Sequence, residues 1–171
     1  VYPTALTLLK WQIFMPRRLR PDQMPMRIPL AKWDESTEIA DDVTPYKLRK
    51  VAILNGAHTA FCPLAILSGI ETVGEAMANS MASTWLRDLL ETEIKPFVPL
   101  PKEELDAFAD TVLKRFANPY IRHAWRDISL NGLAKFKARN LDRMLAYLDR
   151  YGVAPPMLAL SLAAWLRIYT E

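Results

Sequence analysis

From Lys47 to the C-terminus, apolar residues recur three and four positions apart, the spacing of helices that bury one face. The run YKLRKVAILNGAHTAFCPLAIL predicts a first helix over 47–68, ending near Gly69. TVGEAMANS predicts a short helix, and MASTWLRDLLETEIKPF a longer one in which Trp85, Leu89, Leu90 and Ile94 share a face. PKEELDAFADTVLKRFAN carries the fullest set of helix signals. Pro101 opens it, acidic residues fill the first turn, Lys114 and Arg115 close it, and Leu105, Phe108, Val112 and Phe116 form the apolar stripe. A long helix is predicted from about Ile128 to Tyr151, ending at Gly152, and PPMLALSLAAWLRIY supplies a last, strongly apolar one.

Residues 1–45 follow a different pattern. Pro3, Pro16, Pro21, Pro25, Pro29 and Pro45 interrupt any helix there, because proline removes a donor and clashes with the preceding turn. ALTLLKWQIF reads as a strand that pairs with sheet outside this chain, and Met15 to Asp42 as extended or looped. The expected organisation is an extended segment over 1–45, followed by a mainly α, multi-helix domain over 46–171.

The first helix is apolar nearly all round, which marks a helix buried among neighbours. Yet at about 100° per residue, Lys50, Asn55, His58, Cys62 and Thr59 fall within one arc of roughly 180°. Buried polar groups without partners cost on the order of 1–3 kcal/mol each. The arc therefore either satisfies itself inside the core or lines a cavity that a ligand enters, and periodicity leaves both open. Lys50, near the helix start, is equally readable as a solvated lysine.

Composition narrows the chemistry. The net charge of +3 over 171 residues is too small and too evenly spread to argue for a nucleic-acid partner. The single cysteine, Cys62, excludes an internal disulfide and suits a reducing compartment. No uninterrupted apolar run reaches the roughly 20 residues of a membrane span, and no secretory pattern opens the chain, so a cytoplasmic protein without a membrane partner is expected. The five glycines form neither G-x-G-x-x-G nor G-x-x-x-x-G-K-[ST], so no dinucleotide or phosphate loop is encoded here. Two histidines, His58 and His123, with Cys62 offer no zinc-ligand spacing. A Cys62–His58 nucleophile pair lacks an orienting third group. Trp85, Trp125 and Trp165 read as core aromatics.

DDVTPYKLRKVAILNGAHTA, residues 41–60, resembles the motif that opens the C-terminal helical domain of the mannitol dehydrogenase family, the polyol-specific long-chain dehydrogenases and reductases. Its K-x-x-x-x-N-x-x-H pattern falls on Lys50, Asn55 and His58. KRFANPYIRHAW and DISLNGLAKFKAR resemble the family's second block, so that the likeness spans residues 41–171. TPY, NGAHT and ANPYIRH are more similar to the uronate-reducing branch, in which tagaturonate is reduced, than to the mannitol dehydrogenases.

The resemblance implies a helical fold of the mannitol dehydrogenase and 6-phosphogluconate dehydrogenase-like type, acting on a sugar acid or polyol. NAD would be held mainly by an upstream Rossmann-type domain, with no cofactor-binding residue and no metal in this chain. That expectation also accounts for a chain that begins at Val1 and lacks the glycine loop. By the same resemblance Lys50 would be the general acid/base, Asn55 would donate to the developing oxyanion, and His58 would orient a substrate oxygen. A uronate carboxylate needs a cation, for which Lys135 is the first choice. His123, Arg122 and Arg126 are the other substrate-binding candidates. The family's arginine falls one place after Arg126, where Asp127 stands. The rivals are a fructuronate reductase or a mannitol 2-dehydrogenase of the same family and, from another class, a non-catalytic helical interaction module.

Overall fold

The structure, a computed structural model, describes residues 42–170, and the expected strand within 5–14 and the extended stretch before residue 42 lie outside the described residues. Pro45 sits in the first turn of helix α1 (Thr44–Arg49), where its missing N–H leaves no bond unmade. The Asp42 carboxylate accepts from Thr44 N at 2.8 Å and caps the helix. α1 runs through a π-helical stretch, Lys50–Asn55, directly into α2 (Gly56–Leu67). The predicted first helix is thus one rod, but its middle is not α-helical.

Local chemistry sets the next boundaries. Thr72 and Glu75 form a reciprocal capping box that starts α3 (Val73–Ala78), and Asn79 accepts from Ala82 N to start α4 (Ser80–Leu89). α4 continues through a second π-helical stretch, Leu90–Ile94, and a 3₁₀ turn, Lys95–Phe97. α5 (Lys102–Phe116) follows Pro101 and carries acidic residues in its first turn and basic ones in its last, matching the helix dipole. α6 (Trp125–Ser129), α7 (Gly132–Tyr151) and α8 (Pro156–Thr170) complete the domain. Among the described residues every regular element is helical, and the one extended pairing is an isolated bridge between Thr72 and Ala124.

The long helix expected from Ile128 is in fact two. Asn131 adopts the left-handed conformation (φ 56°), which breaks the backbone between α6 and α7. The reason is tertiary. A Cβ on Gly132 would lie 2.2 Å from Cζ3 of Trp165, and Gly132 N donates to the Tyr169 hydroxyl at 3.1 Å. α7 can therefore start only where its first turn presses against the α8 ring, and the chain bends at Asn131 to reach it.

α2 is the central element, with α6, α7 and α8 packed around it and α5 against the π-helical stretch before it. Ala52, Ala57, Ala60 and Ala65 are fully buried and let neighbouring helices approach closely, while Trp125, Trp165, Leu86, Leu89 and Leu158 fill the spaces between. Pro63 inside α2 cannot donate to the Thr59 carbonyl. The Trp165 indole N–H takes that place at 3.0 Å. Beside it the Ser161 hydroxyl donates to Ala60 O at 2.7 Å and Asn140 Nδ2 to Gly56 O at 3.2 Å. These bonds fix the rotation of α2 against α7 and α8. The buried Glu93 carboxylate accepts from Met157 N and Leu158 N, both at 2.8 Å, and so supplies the start of α8 with acceptors. Burial raises its pKa, while the two donors pull it back.

Contrary to the sequence expectation, the continuous helix Thr44–Leu67 is long and apolar enough by length and composition to cross a membrane. Its most apolar stretch is 61% buried against the other helices, as in the core helix of a globular domain.

Candidate functional site

The π-helical stretch decides which residues of the first rod share a face. In a straight α-helix Lys50 and His58 lie about 80° apart around the axis. A π-helical stretch adds roughly one residue to a turn, and this brings the two to within about 20° of each other. Lys50 and Asn55 are its first and last residues. The irregular backbone coincides with the K-x-x-x-x-N-x-x-H motif.

His58 is 9% exposed and its Nε2 has no partner among the described residues. Its ring stacks on Phe116 of α5, with centroids 4.0 Å apart and planes 10° off parallel. His123 meets it edge-on at 5.5 Å and Trp125 at 5.9 Å. Burial first, then repulsion from His123, Arg139 and Arg115, pushes the imidazole pKa down to about 3. The ring is therefore neutral and rigidly held, with one nitrogen available to a ligand. Lys50 is half-buried. Burial lowers its pKa, and Arg115 and Arg139 add to the effect. Asn55 is also half-buried; its carbonyl accepts the Thr59 hydroxyl at 2.8 Å, and its side-chain amide makes no hydrogen bond within the described residues.

The remaining candidates divide. His123 reaches the His58 ring because Val73 N donates to His123 O and Trp125 N to Glu71 O, both at 3.0 Å, which pins this connection to the end of the α2 region. Lys135 is half-buried on α7, and its ammonium donates to Ile128 O at 3.1 Å. Arg122 is exposed and pairs with Glu71 at 3.5 Å. Arg126 is exposed, and no described contact ties it or Arg122 to His58. Cys62 donates its thiol to Trp125 O at 3.3 Å, and burial pushes its pKa up to about 12. No thiolate forms there near neutral pH, so Cys62 is a packing residue.

Two residues that sequence reasoning missed stand in the same place. Arg139 of α7 donates Nη1 to Thr59 Oγ1 at 2.9 Å, and Arg115 precedes the Phe116 ring that stacks on His58. Arg115 reads in sequence as an ordinary basic residue closing a helix. Arg139 had a signal, since it lies one turn beyond Lys135 on the same helix face. Arg115 and Arg139 make the surroundings of both Lys50 and His58 electropositive. Among the described residues no three His, Cys, Asp or Glu side chains cluster as a metal site would need.

Comparison with known proteins adds the context. The family described as mannitol dehydrogenase C-terminal domain matches residues 42–171. Altronate oxidoreductase of Cronobacter sakazakii is 44% identical over 156 residues, covering 91% of this chain and 30% of that protein. The altronate oxidoreductase of Pectobacterium atrosepticum is 47% identical over 140 residues, covering 82% of this chain and 29% of that protein. The chain thus spans under a third of the length of these relatives. Among solved structures, a D-sorbitol dehydrogenase in substrate-free form superposes with a TM-score of 0.69 at 24% identity, over 76% of this chain and 27% of that one. The Pseudomonas fluorescens mannitol 2-dehydrogenase ternary complex with NAD and D-mannitol superposes with a TM-score of 0.62 at 29% identity, over 74% of this chain and 26% of that one. The helical fold, the K-x-x-x-x-N-x-x-H face and a match over residues 42–171 lead to one assignment: this chain belongs to the mannitol dehydrogenase family, in its C-terminal domain.

Proposed function

We propose that this chain is the substrate-binding part of an NAD-dependent oxidoreductase that interconverts a sugar-acid alcohol and its ketone, altronate and tagaturonate being the preferred pair. The observation that carries the reading is the shared face of Lys50, Asn55 and His58. On one continuous rod, a half-buried lysine of lowered pKa precedes a buried neutral imidazole with an unpartnered nitrogen, and the same two arginines act on both. The likeness to altronate oxidoreductases favours a sugar acid over a neutral polyol.

Oxidation of a secondary alcohol removes a hydride from carbon and a proton from oxygen. NAD, when bound, supplies the hydride acceptor. The sequence offers no glycine loop for its pyrophosphate, and the unpartnered polar groups here suit a hydroxylated substrate, so no residue of this chain is assigned to the cofactor. Lys50 takes the hydroxyl proton, and its lowered pKa increases the neutral fraction able to do so. In reduction the same ammonium returns the proton to the nascent alkoxide. Asn55 donates its amide N–H to that oxygen as charge develops, and His58 Nε2 holds a neighbouring hydroxyl. Phe116, Trp125 and His123 lock the imidazole so that its orientation is fixed before substrate arrives.

The test is Lys50→Ala in the full-length enzyme, assayed with NAD against altronate, its epimer mannonate and mannitol. General acid–base removal lowers kcat by roughly 10²- to 10⁴-fold, with an unchanged melting temperature. A variant that keeps its turnover within a few-fold sinks the acid/base role. A wild type that prefers mannitol moves the reading to a mannitol 2-dehydrogenase, and one that oxidises none of these supports the non-catalytic module.

A further inference from the structure

Arg115 of α5 and Arg139 of α7 both act on Lys50 and His58, and neither has a carboxylate partner among the described residues. Some of the chain's other cations form ion pairs: Arg49 with Glu104, Lys95 with Glu91 and Asp106, Lys102 with Asp106, and Arg122 with Glu71. None of these pairs includes Arg115 or Arg139. The one printed side-chain bond of Arg139 uses a single N–H, donated to the Thr59 hydroxyl at 2.9 Å, which leaves four of about five guanidinium donors uncommitted. Arg115 makes no side-chain hydrogen bond or ion pair among the described residues, although it is half-buried.

Half-buried cations without an anion are costly, because the charge gives up solvation and gains no Coulomb attraction in return. Behind Arg139, the buried Arg143 donates Nη1 to the Arg139 carbonyl at 3.0 Å and adds a further positive charge to the same helix. The field is unfavourable to an imidazolium or an ammonium and favourable to an anion. His58 supplies the independent sign that a ligand belongs here: its side chain is more than nine-tenths buried, yet Nε2 has no partner. Thr59 connects the two features, since it follows His58 in α2 and its hydroxyl holds Arg139.

We infer that Arg115 and Arg139 form the carboxylate-binding subsite, which selects sugar acids over neutral polyols. The inference rests on the oxidoreductase reading above and names its substrate class. Lys135, the first choice from sequence, donates to the Ile128 carbonyl at 3.1 Å, and the exposed Arg122 pairs with Glu71 at 3.5 Å. A guanidinium pair suits the task, because its planar forks match both oxygens of a carboxylate and proton transfer is left to the lysine.

The test uses the full-length enzyme with NAD and compares altronate with altritol, which carries a hydroxymethyl group in place of the carboxylate. Arg115→Gln and Arg139→Gln should each raise the KM for altronate by roughly 10- to 100-fold and lower the altronate-to-altritol ratio of kcat/KM by a similar factor, on top of any change that the altered Lys50 pKa imposes on both substrates alike. Arg→Lys at either position should recover part of the loss, since it restores charge without the fork. A melting curve on each variant identifies loss of folded protein. If a Gln variant does not fold, its folded Lys counterpart carries the comparison, and an unchanged acid-to-polyol ratio there overturns the subsite. Equal losses on both substrates in folded Gln variants overturn the inference alone. A wild type that oxidises altritol as well as altronate also overturns it, and one that oxidises neither removes the reading beneath it.

Discussion

Replacing Trp165 by Phe tests whether the indole N–H, standing in for the donor that Pro63 lacks, holds the central helix in place. The indole is 1% exposed and donates to the Thr59 carbonyl at 3.0 Å. Pro63 has already deprived that carbonyl of its helical donor. Phenylalanine keeps the ring but removes the N–H, and leaving a buried carbonyl unpaired costs about 1–3 kcal/mol. The lost five-membered ring adds a cavity term of about 1 kcal/mol. Together these give about 2–4 kcal/mol, to be read as a shift in the midpoint of guanidinium unfolding at constant m. Pro63→Ala then restores a donor to Thr59 O from within α2. In that background Trp165→Phe should lose only the cavity term, a coupling of about 1–3 kcal/mol across the double-mutant cycle. Additive single and double variants would refute the idea that Trp165 stands in for the missing proline N–H.

Two further outcomes follow from the same core. His58 has a folded pKa of about 3 against 6.5 for an unperturbed histidine, so between those values the unfolded state binds the extra proton. Stability is therefore complete above about pH 6.5 and falls on acidification, by about 2 kcal/mol at pH 5. Denaturation at pH 7 and pH 5 should show this loss in the wild type and its absence in His58→Gln; equal slopes in the two would exclude His58 as the source. Gly132→Ala places a Cβ 2.2 Å from the Trp165 ring and should cost about 1–3 kcal/mol through overpacking, seen as a lower melting temperature. An unchanged melting temperature would mean that α7 and α8 can part at this point without loss.

Most helices were legible because their signals are local. The Leu105, Phe108, Val112, Phe116 stripe and the acid-to-base polarity of Lys102–Phe116 appear in the structure as one amphipathic helix. The break before Gly132 was not legible. It depends on a tryptophan 33 positions later in the chain, and GLAKFKAR carries no mark of that contact. The π-helical stretch was equally hidden, since KVAILN has ordinary helix-forming residues and the stretch packs against elements distant in the chain, α5 and α7. Counting at a uniform angle therefore placed Lys50 too far round from His58. Arg115 and Arg139 escaped notice for a related reason: each looks like a solvated basic residue until α5 and α7 are brought against α2.

The sequence by itself determined the helical class, the element order, the apolar character of the first rod and the spacing of Lys50, Asn55 and His58, because periodicity, caps and motif spacing act over a few residues. Only the tertiary structure decided what those polar groups meet. It set the ring of His58 against Phe116, Trp125 and His123, paired Arg122 with Glu71, and brought Arg139 to Thr59. Burial and field strength depend on neighbours distant in the chain. Whether a lysine is an ordinary surface cation or a proton carrier is therefore settled by packing, not by the residue alone.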